Sequence, residues 1–459
     1  MTNETINTPC KSYTDQSQYW PVCRSLMGGT PAMRKAGKLY LPQEPAETDT
    51  AYLNRLNRST LYNGFAKAVH AIAGKVLENG VKVEDGTPEP IKDILEYVDE
   101  SGRDVERFLH DVVVDAIEIG RSHVLVDYPP RPEGLGLSQA EEQAAGLRPY
   151  WVHVKAEDLI WWKLSKGKLT EIRIRELAED GETLQVRVIT PTTFQLYQQV
   201  GQTKDWEVVA EGVNTLGEIS LATFYTRRVA EMVSRPPLED LAYKNVEHWQ
   251  SSSDQRHILH IARVPILFGT GFDEESQVVI GPNQLVKAPQ GSELKYVEHS
   301  GEAIKVGQDD IQRIEEQMAI LAMEPVLQSR TGTQTATARA IDSAEAQAAL
   351  KLVASDIEDA ADLCLVYTAM WLGIPKERAG GVEIECDFSL LSQDNAGLVE
   401  LGKARALGDI SREGYLKEFK RRGILSEEFD LEEDKALVDA EGPSLGEMNI
   451  NPPQEQEAE

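Results

Sequence analysis

Chemistry in this chain would have to start from its histidines and carboxylates. Eight histidines are present, and three of them, His248, His257 and His260, fall in one stretch. His257 and His260 are three apart, so on a helix they share a face, a spacing that could set two imidazoles on one metal ion. His248 lies nine residues earlier, one face-turn away at best, and no Asp, Glu or Cys sits at a spacing that completes the set locally. The expectation is therefore solvated or interface histidines, with no metal site and no cofactor. Phosphate-binding loops are also missing. Gly29 and Gly37-Lys38 have the wrong separation, Leu39 stands where a hydroxyl would hold magnesium, and Gly167-Lys168 lacks the upstream glycine. No GxSxG, HExxH or GxGxxG run occurs. With 76 acidic residues, carboxylate pairs arise by chance and identify nothing. No constellation calls for catalysis, so the sequence reads as a non-enzyme with no catalytic residues.

The elements around these residues are mixed. Residues 1–45 are rich in Thr, Pro and Gly and read as a loosely packed arm. From Tyr52, the apolar positions Leu56, Phe65, Val69, Ile72 and Val76 recur at helical spacing, until Gly80 breaks the pattern. A second helix is expected over 91–119 on Ile91, Leu95, Val98, Val105, Leu109, Val112 and Ala116, with Gly120 as its stop. Period-two alternation then takes over. His123–Asp127 and Tyr150–Val154 read as strands, and 170–176 and 184–189 as a hairpin across Asp180-Gly181. Weaker strands follow at 194–197, 206–209 and 219–225, completing an antiparallel meander.

Pro236-Pro237 opens a long helix to about 262, since Pro is tolerated in a first turn. Short Gly-punctuated strands follow at 264–268, 278–280 and 294–297, then a helix over 309–323. The run 329–338 is small and polar, the composition of a loop. Beyond it, Leu350, Val353, Ile357, Ala360, Cys364, Tyr367 and Trp371 keep a three-four spacing, read as a helix-on-helix seam. A strand over 382–388 and helices over 396–407 and 412–422 precede an acidic tail. Helices and an antiparallel meander in separate runs define an α+β chain.

Composition sets bounds of its own. The 459 residues suit two or three structural units. No run approaches the ~20 apolar residues of a membrane-spanning helix, so no membrane partner is expected. The first residues carry no secretory signal. The four cysteines, Cys10, Cys23, Cys364 and Cys386, include no CxxC pair and read as reduced thiols in a cytoplasm. Net charge is −29, and residues 426–459 hold twelve acidic side chains against Lys435 alone, a run that reads as a solvated or disordered tail. Gripping DNA by its phosphates needs clustered cations. Composition alone therefore excludes a DNA-binding protein.

Four strings carry a resemblance. They are Tyr52-Leu53-Asn54-Arg55-Leu56, Pro236-Pro237-Leu238-Glu239-Asp240-Leu241-Ala242, Asn245-Val246-Glu247-His248-Trp249-Gln250-Ser251-Ser252-Ser253-Asp254, and Arg263-Val264-Pro265-Ile266-Leu267. Together with the order of elements from about 45 to 440, they resemble the portal proteins of tailed bacteriophages, the head-to-tail connectors of the virion. The resemblance implies an N-terminal arm (1–45), a wing (46–235), a first stem helix (236–262) and a clip (263–302). It further implies a second stem helix (303–326), a tunnel loop (327–340), a long wing or crown helix (341–373), a crown (374–440) and an acidic tail (441–459).

The implied function is a ring, expected as a dodecamer, at one capsid vertex, assembled in the bacterial host cytoplasm. Double-stranded DNA would pass through it in packaging and ejection. Implied partners are the terminase large subunit, a head-tail adaptor protein, and the major capsid and scaffolding proteins. DNA-facing candidates in the tunnel loop are Arg330, Thr331, Gln334 and Arg339, and clip candidates are Lys287 and Lys295. An acidic channel wall would let the duplex slide where a basic wall would hold it. The rivals are a virion or scaffold-type protein without a channel, and a metal-dependent nuclease-like enzyme.

Overall fold

Residue 120 is where the organisation of the protein is decided. In the computed structural model, helix α7 (Val105–Ile119) ends there on a glycine with φ +96°, a left-handed cap that residues with a side chain adopt only under strain. The chain turns at once into strand β2 (Arg121–Asp127), which is buried along six of its seven residues. β2 is the centre of a three-stranded antiparallel sheet, between β3 (Tyr150–Val154) and β9 (Leu221–Tyr225), with Leu125 opposite both Val152 and Leu221. The described residues are 6–129, 147–201, 205–263, 266–271, 291–297, 301–322, 336–384, 395–421, 424–425 and 429–441. They fall into two units, Met1–Cys386 and Asp387–Glu459. The first unit is α+β.

The expected meander is present as a five-stranded antiparallel sheet in sequence order. Its strands are β4 (Leu159–Ser165), β5 (Lys168–Leu177), β6 (Leu184–Ile189), β7 (Thr193–Val200) and β8 (Asp205–Val213). The β5–β6 turn is set by Asp180, whose carboxylate accepts the N–H groups of Glu182 and Thr183 at 2.9 and 2.8 Å. The last expected strand, β9, departs from the meander and pairs with β2 instead. Period two marks a strand without naming the sheet it joins.

Other expectations are corrected as well. Residues 1–45 are no loose arm. Helices α1 (Lys11–Ser17), α2 (Trp20–Met27) and α3 (Gly29–Ala36) bury Trp20, Val22, Cys23, Leu26 and Met33. Their apolar positions form clusters too short for a period to declare itself. The helix expected over 91–119 is two, α6 (Glu89–Leu95) and α7. Between them Asp99 accepts the N–H groups of Ser101 and Arg103, Gly102 sits at φ +80°, and Asp104 caps α7 through the N–H of Arg107 at 2.7 Å.

The long seam helix, α10 (Ala336–Trp371), begins inside the stretch expected to be loop, where Ala336, Ala338 and Ala340 favour helix. It packs on strands β9 and β2 more than on other helices. Trp151 Nε1 donates to Thr368 Oγ1 at 3.0 Å, and Trp371 Nε1 to the Val126 carbonyl at 3.0 Å. The strand expected at 382–388 is β14 (Val382–Glu383), paired with β1 (Lys82–Val83), and residues 385–388 lie outside the described set.

The second unit holds α11 (Asn395–Leu407), α12 (Arg412–Arg421) and α13 (Leu431–Glu441). Arg412 reaches Asp434 at 2.6 Å, and the Tyr415 and Phe419 rings are 4.4 Å apart. Part of the acidic run expected as tail is therefore helical. Residues 442–459 lie outside the described set.

Candidate functional site

Two helices and a hairpin form the site. Pro236-Pro237 leads into α8 (Glu239–Ala262), and α9 (Glu302–Leu321) returns beside it. Between them, β12 (Ile266–Thr270) pairs antiparallel with β13 (Glu293–Val297). The two helices run antiparallel, because their contacts climb one as they descend the other. His248 Nε2 lies 3.1 Å from Glu315 Oε1, Ser251 Oγ donates to Asp310 at 3.4 Å, and Gln255 Nε2 donates to the Ile304 carbonyl at 2.7 Å.

The pair is seated on the first unit by polar groups. Asn245, fully buried, accepts the Phe65 N–H and donates to the Tyr62 carbonyl, both at 2.9 Å. Ser59 and Ser253 share a hydroxyl bond of 2.8 Å, and Arg55 reaches Asp254 at 3.4 Å. Trp249, Ile314 and Met318 bury the apolar side of the seat, while Tyr243, Ile261, Val306 and Ile320 remain more than half exposed. Over α8 and α9 nine carboxylates stand against four Lys or Arg, so the pair is acidic.

The structure brings few of the expected site residues together. Lys295 lies exposed on β13, its Nζ 3.7 Å from Glu293 and 5.7 Å from the Phe268 ring centre. Arg339 falls within helix α10. Lys287, Arg330, Thr331 and Gln334 lie outside the described residues. Of the three histidines on α8, His248 faces Glu315, His257 Nδ1 sits 3.3 Å from Arg58, and His260 is exposed. Among the described residues no three His, Cys, Asp or Glu side chains converge as a metal-binding group.

One cluster of ionisable groups has no sequence signature, because its cation, Arg24, lies over 90 residues from each of its carboxylates. Arg24 on α2 binds Asp115 at 2.6 Å and also Glu118, both on α7, and grips Glu157 between β3 and β4. Burial would raise Asp115, but the His153 hydrogen bond and the Arg24 charge hold its pKa to about 2. Glu118 goes the other way. Burial, aided by Asp115 and Glu157, pushes it up to about 7 against the pull of Arg24. Three carboxylates around one cation cannot all ionise cheaply in a dry setting.

Next to them Ser122 Oγ and Asp115 Oδ2 lie 2.7 and 3.5 Å from the same His153 nitrogen, Nε2. A nucleophile relay needs the two partners on opposite ring nitrogens, and Ser122 is fully buried. The trio is structural.

Because Glu118 binds its proton more tightly in the folded chain, its contribution to stability is full below pH ~4.5 and is lost as pH rises through ~7. Glu118→Gln should remove that decline and stabilise the chain at pH 8 by roughly 2–3 kcal/mol. Urea midpoints at pH 5 and 8 test this. A decline as steep as in the wild type would refute the assignment.

Residues 237–372, which take in α8, β12, β13, α9 and α10, match the model of a family described as a domain of unknown function, DUF4055. No curated protein matches the sequence. Among solved structures, the chain is similar to one in the virion of a native gene transfer agent particle, at 11% identity and TM-score 0.42, over 82% of this chain and 89% of the other. It is also similar to a chain in the neck of an empty gene transfer agent particle with C6 symmetry, at 12% identity and TM-score 0.44, covering 86% and 94%. A third likeness is to the neck of a native particle with C12 symmetry, at 12% identity and TM-score 0.40, covering 82% and 89%.

Proposed function

We propose that this chain is the subunit of a portal, a closed ring through which double-stranded DNA enters and leaves a virus-like head. The observation that carries the reading is the antiparallel pair α8–α9 with the β12–β13 hairpin between its inner ends. Its exposed Tyr243, Ile261, Val306 and Ile320 leave apolar surface that a lone subunit does not bury. A head-to-tail interface that closes on itself would cover such surface in every copy equally. In this reading α8 and α9 are the stem, 263–302 the clip, 46–235 the wing, the stretch leading into α10 the tunnel loop and 374–440 the crown. The terminase large subunit docks at the clip during packaging and a head-tail adaptor afterwards. Capsid and scaffolding proteins surround the wing.

The charge fits a conduit. Nine carboxylates against four cations on the stem helices give no phosphate-gripping wall, so the duplex is centred by repulsion and moves when an external motor pushes it. Twelve subunits are proposed. Negative-stain electron microscopy of the purified full chain should show rings with a central hole. A uniform population of monomers, or irregular assemblies without a hole, overturns the proposal.

A further inference from the structure

The two ends of the five-stranded sheet are treated differently. At the β4 end the chain's own N-terminal segment covers the start of the edge. The Cys10 N–H donates to the Ile160 carbonyl at 3.0 Å, and Ile6 is buried beside Ile160, Val186, Val188 and Trp206. At the other end β8 has a neighbour on one side only, among the described residues. Nine residues long, it carries Val208, Val209 and Val213 at 44%, 49% and 73% exposure. It has no Pro and no Lys; a bulge at Val209 and its exposed carboxylates are what blunt this edge. Its exposed charges are acidic, Asp205, Glu207 and Glu211.

The opposite charge sits four strands away, about 19 Å at the usual strand spacing. There the β4–β5 turn, with Lys166 at φ +50° and Gly167 at φ +76°, holds Lys163, Lys166 and Lys168 exposed. Among the described residues none of these three lysines makes an ion pair within the chain. Beside that tip, the hairpin of β10 (Arg228–Ala230) and β11 (Val233–Ser234) exposes Val229. Its Met232 turn is fixed by Gln16 and Arg121.

We infer that β8 of one copy docks against the β4–β5 tip and β10 of a second copy, so that sheets run head to tail around the assembly. Acidic edge meets basic tip, and Val208 and Val209 meet Val229. Unlike surfaces at opposite ends of one subunit give a heterologous contact, which repeats until the rotation closes. The inference rests on the ring reading and names the contact that builds it.

Three full-length variants test it: Glu207→Lys/Glu211→Lys, Lys163→Glu/Lys168→Glu, and all four changes together. Sedimentation velocity across a concentration series should show each double variant dissociating at roughly tenfold higher concentration than wild type. The fourfold variant should return to the wild-type curve. If all three assemble as wild type does, the contact is wrong although the ring stands; that result is also expected if a strand from a different head protein covers β8. If both double variants weaken and the fourfold one is no better, the two ends matter separately and the pairing is overturned. A wild-type chain that never forms rings removes the ring reading, and this inference with it.

Discussion

Arg24→Met should cost the folded chain about 3–5 kcal/mol at neutral pH, the scale expected when one partner of a buried ion cluster is removed. The substitution keeps most of the aliphatic stem and deletes the guanidinium that binds Asp115, Glu118 and Glu157 together. Asp115 and Glu118 are under a tenth exposed, so water cannot replace it. The three carboxylates would then take up protons, and stability would recover as pH falls. The deficit should shrink by more than half between pH 8 and pH 5, measured by urea unfolding. Arg24→Lys should be intermediate, since one ammonium cannot match a guanidinium fork that grips three carboxylates. A Met variant as stable as wild type at pH 8 would show that the cluster is not what holds α2 on α7.

Gly120→Ala is expected to be equally severe for a different reason. A methyl group there would lie 2.2 Å from the Arg235 carbonyl oxygen and 2.6 Å from its carbon, both backbone atoms, at a φ of +96°. The left-handed strain alone costs ~1–2 kcal/mol, and the Arg235–Pro236 backbone must also move. We expect a total loss of about 3 kcal/mol or more. The damage should be local to the segment that feeds α8. Faster hydrogen exchange at the Thr226 N–H, which bonds the Gly120 carbonyl at 3.1 Å, and new proteolysis between 226 and 238 would report it. Wild-type exchange at Thr226 would contradict the steric argument.

Elements with long regular periods were legible in the sequence. α8 begins at Glu239 and ends at Ala262, within three residues of the expected start, because Pro236-Pro237 marks where it begins. The β5–β6 hairpin was legible from Asp180-Gly181. Packing partners were not. The stripe Leu350–Trp371 declares a buried face, yet a stripe is blind to whether a helix or a sheet covers it, and here strands β9 and β2 do. The α6–α7 break was hidden because Val98 and Val105 continue the helical spacing across a loop that Asp99 organises. At the site, the helix–hairpin–helix order was legible, but its polar seat was not. Asn245, Ser253 and Asp254 find partners 180 to 199 residues away, and no local pattern encodes such pairings.

Arg121 has a consequence for how the protein is made. Its guanidinium is wholly buried, meets no carboxylate among the described residues, and lies over the Trp162 ring at 4.8 Å. It donates to Gln16 Oε1 at 3.0 Å and to the Met232 carbonyl. Residue 16 leaves the ribosome early, but Met232 is 111 residues behind Arg121. At ordinary synthesis rates that is a wait of roughly 6–20 s. Until then β2 carries a cation that has no dry place to go. We therefore expect β2 to become fully buried only after the segment leading into α8 has emerged.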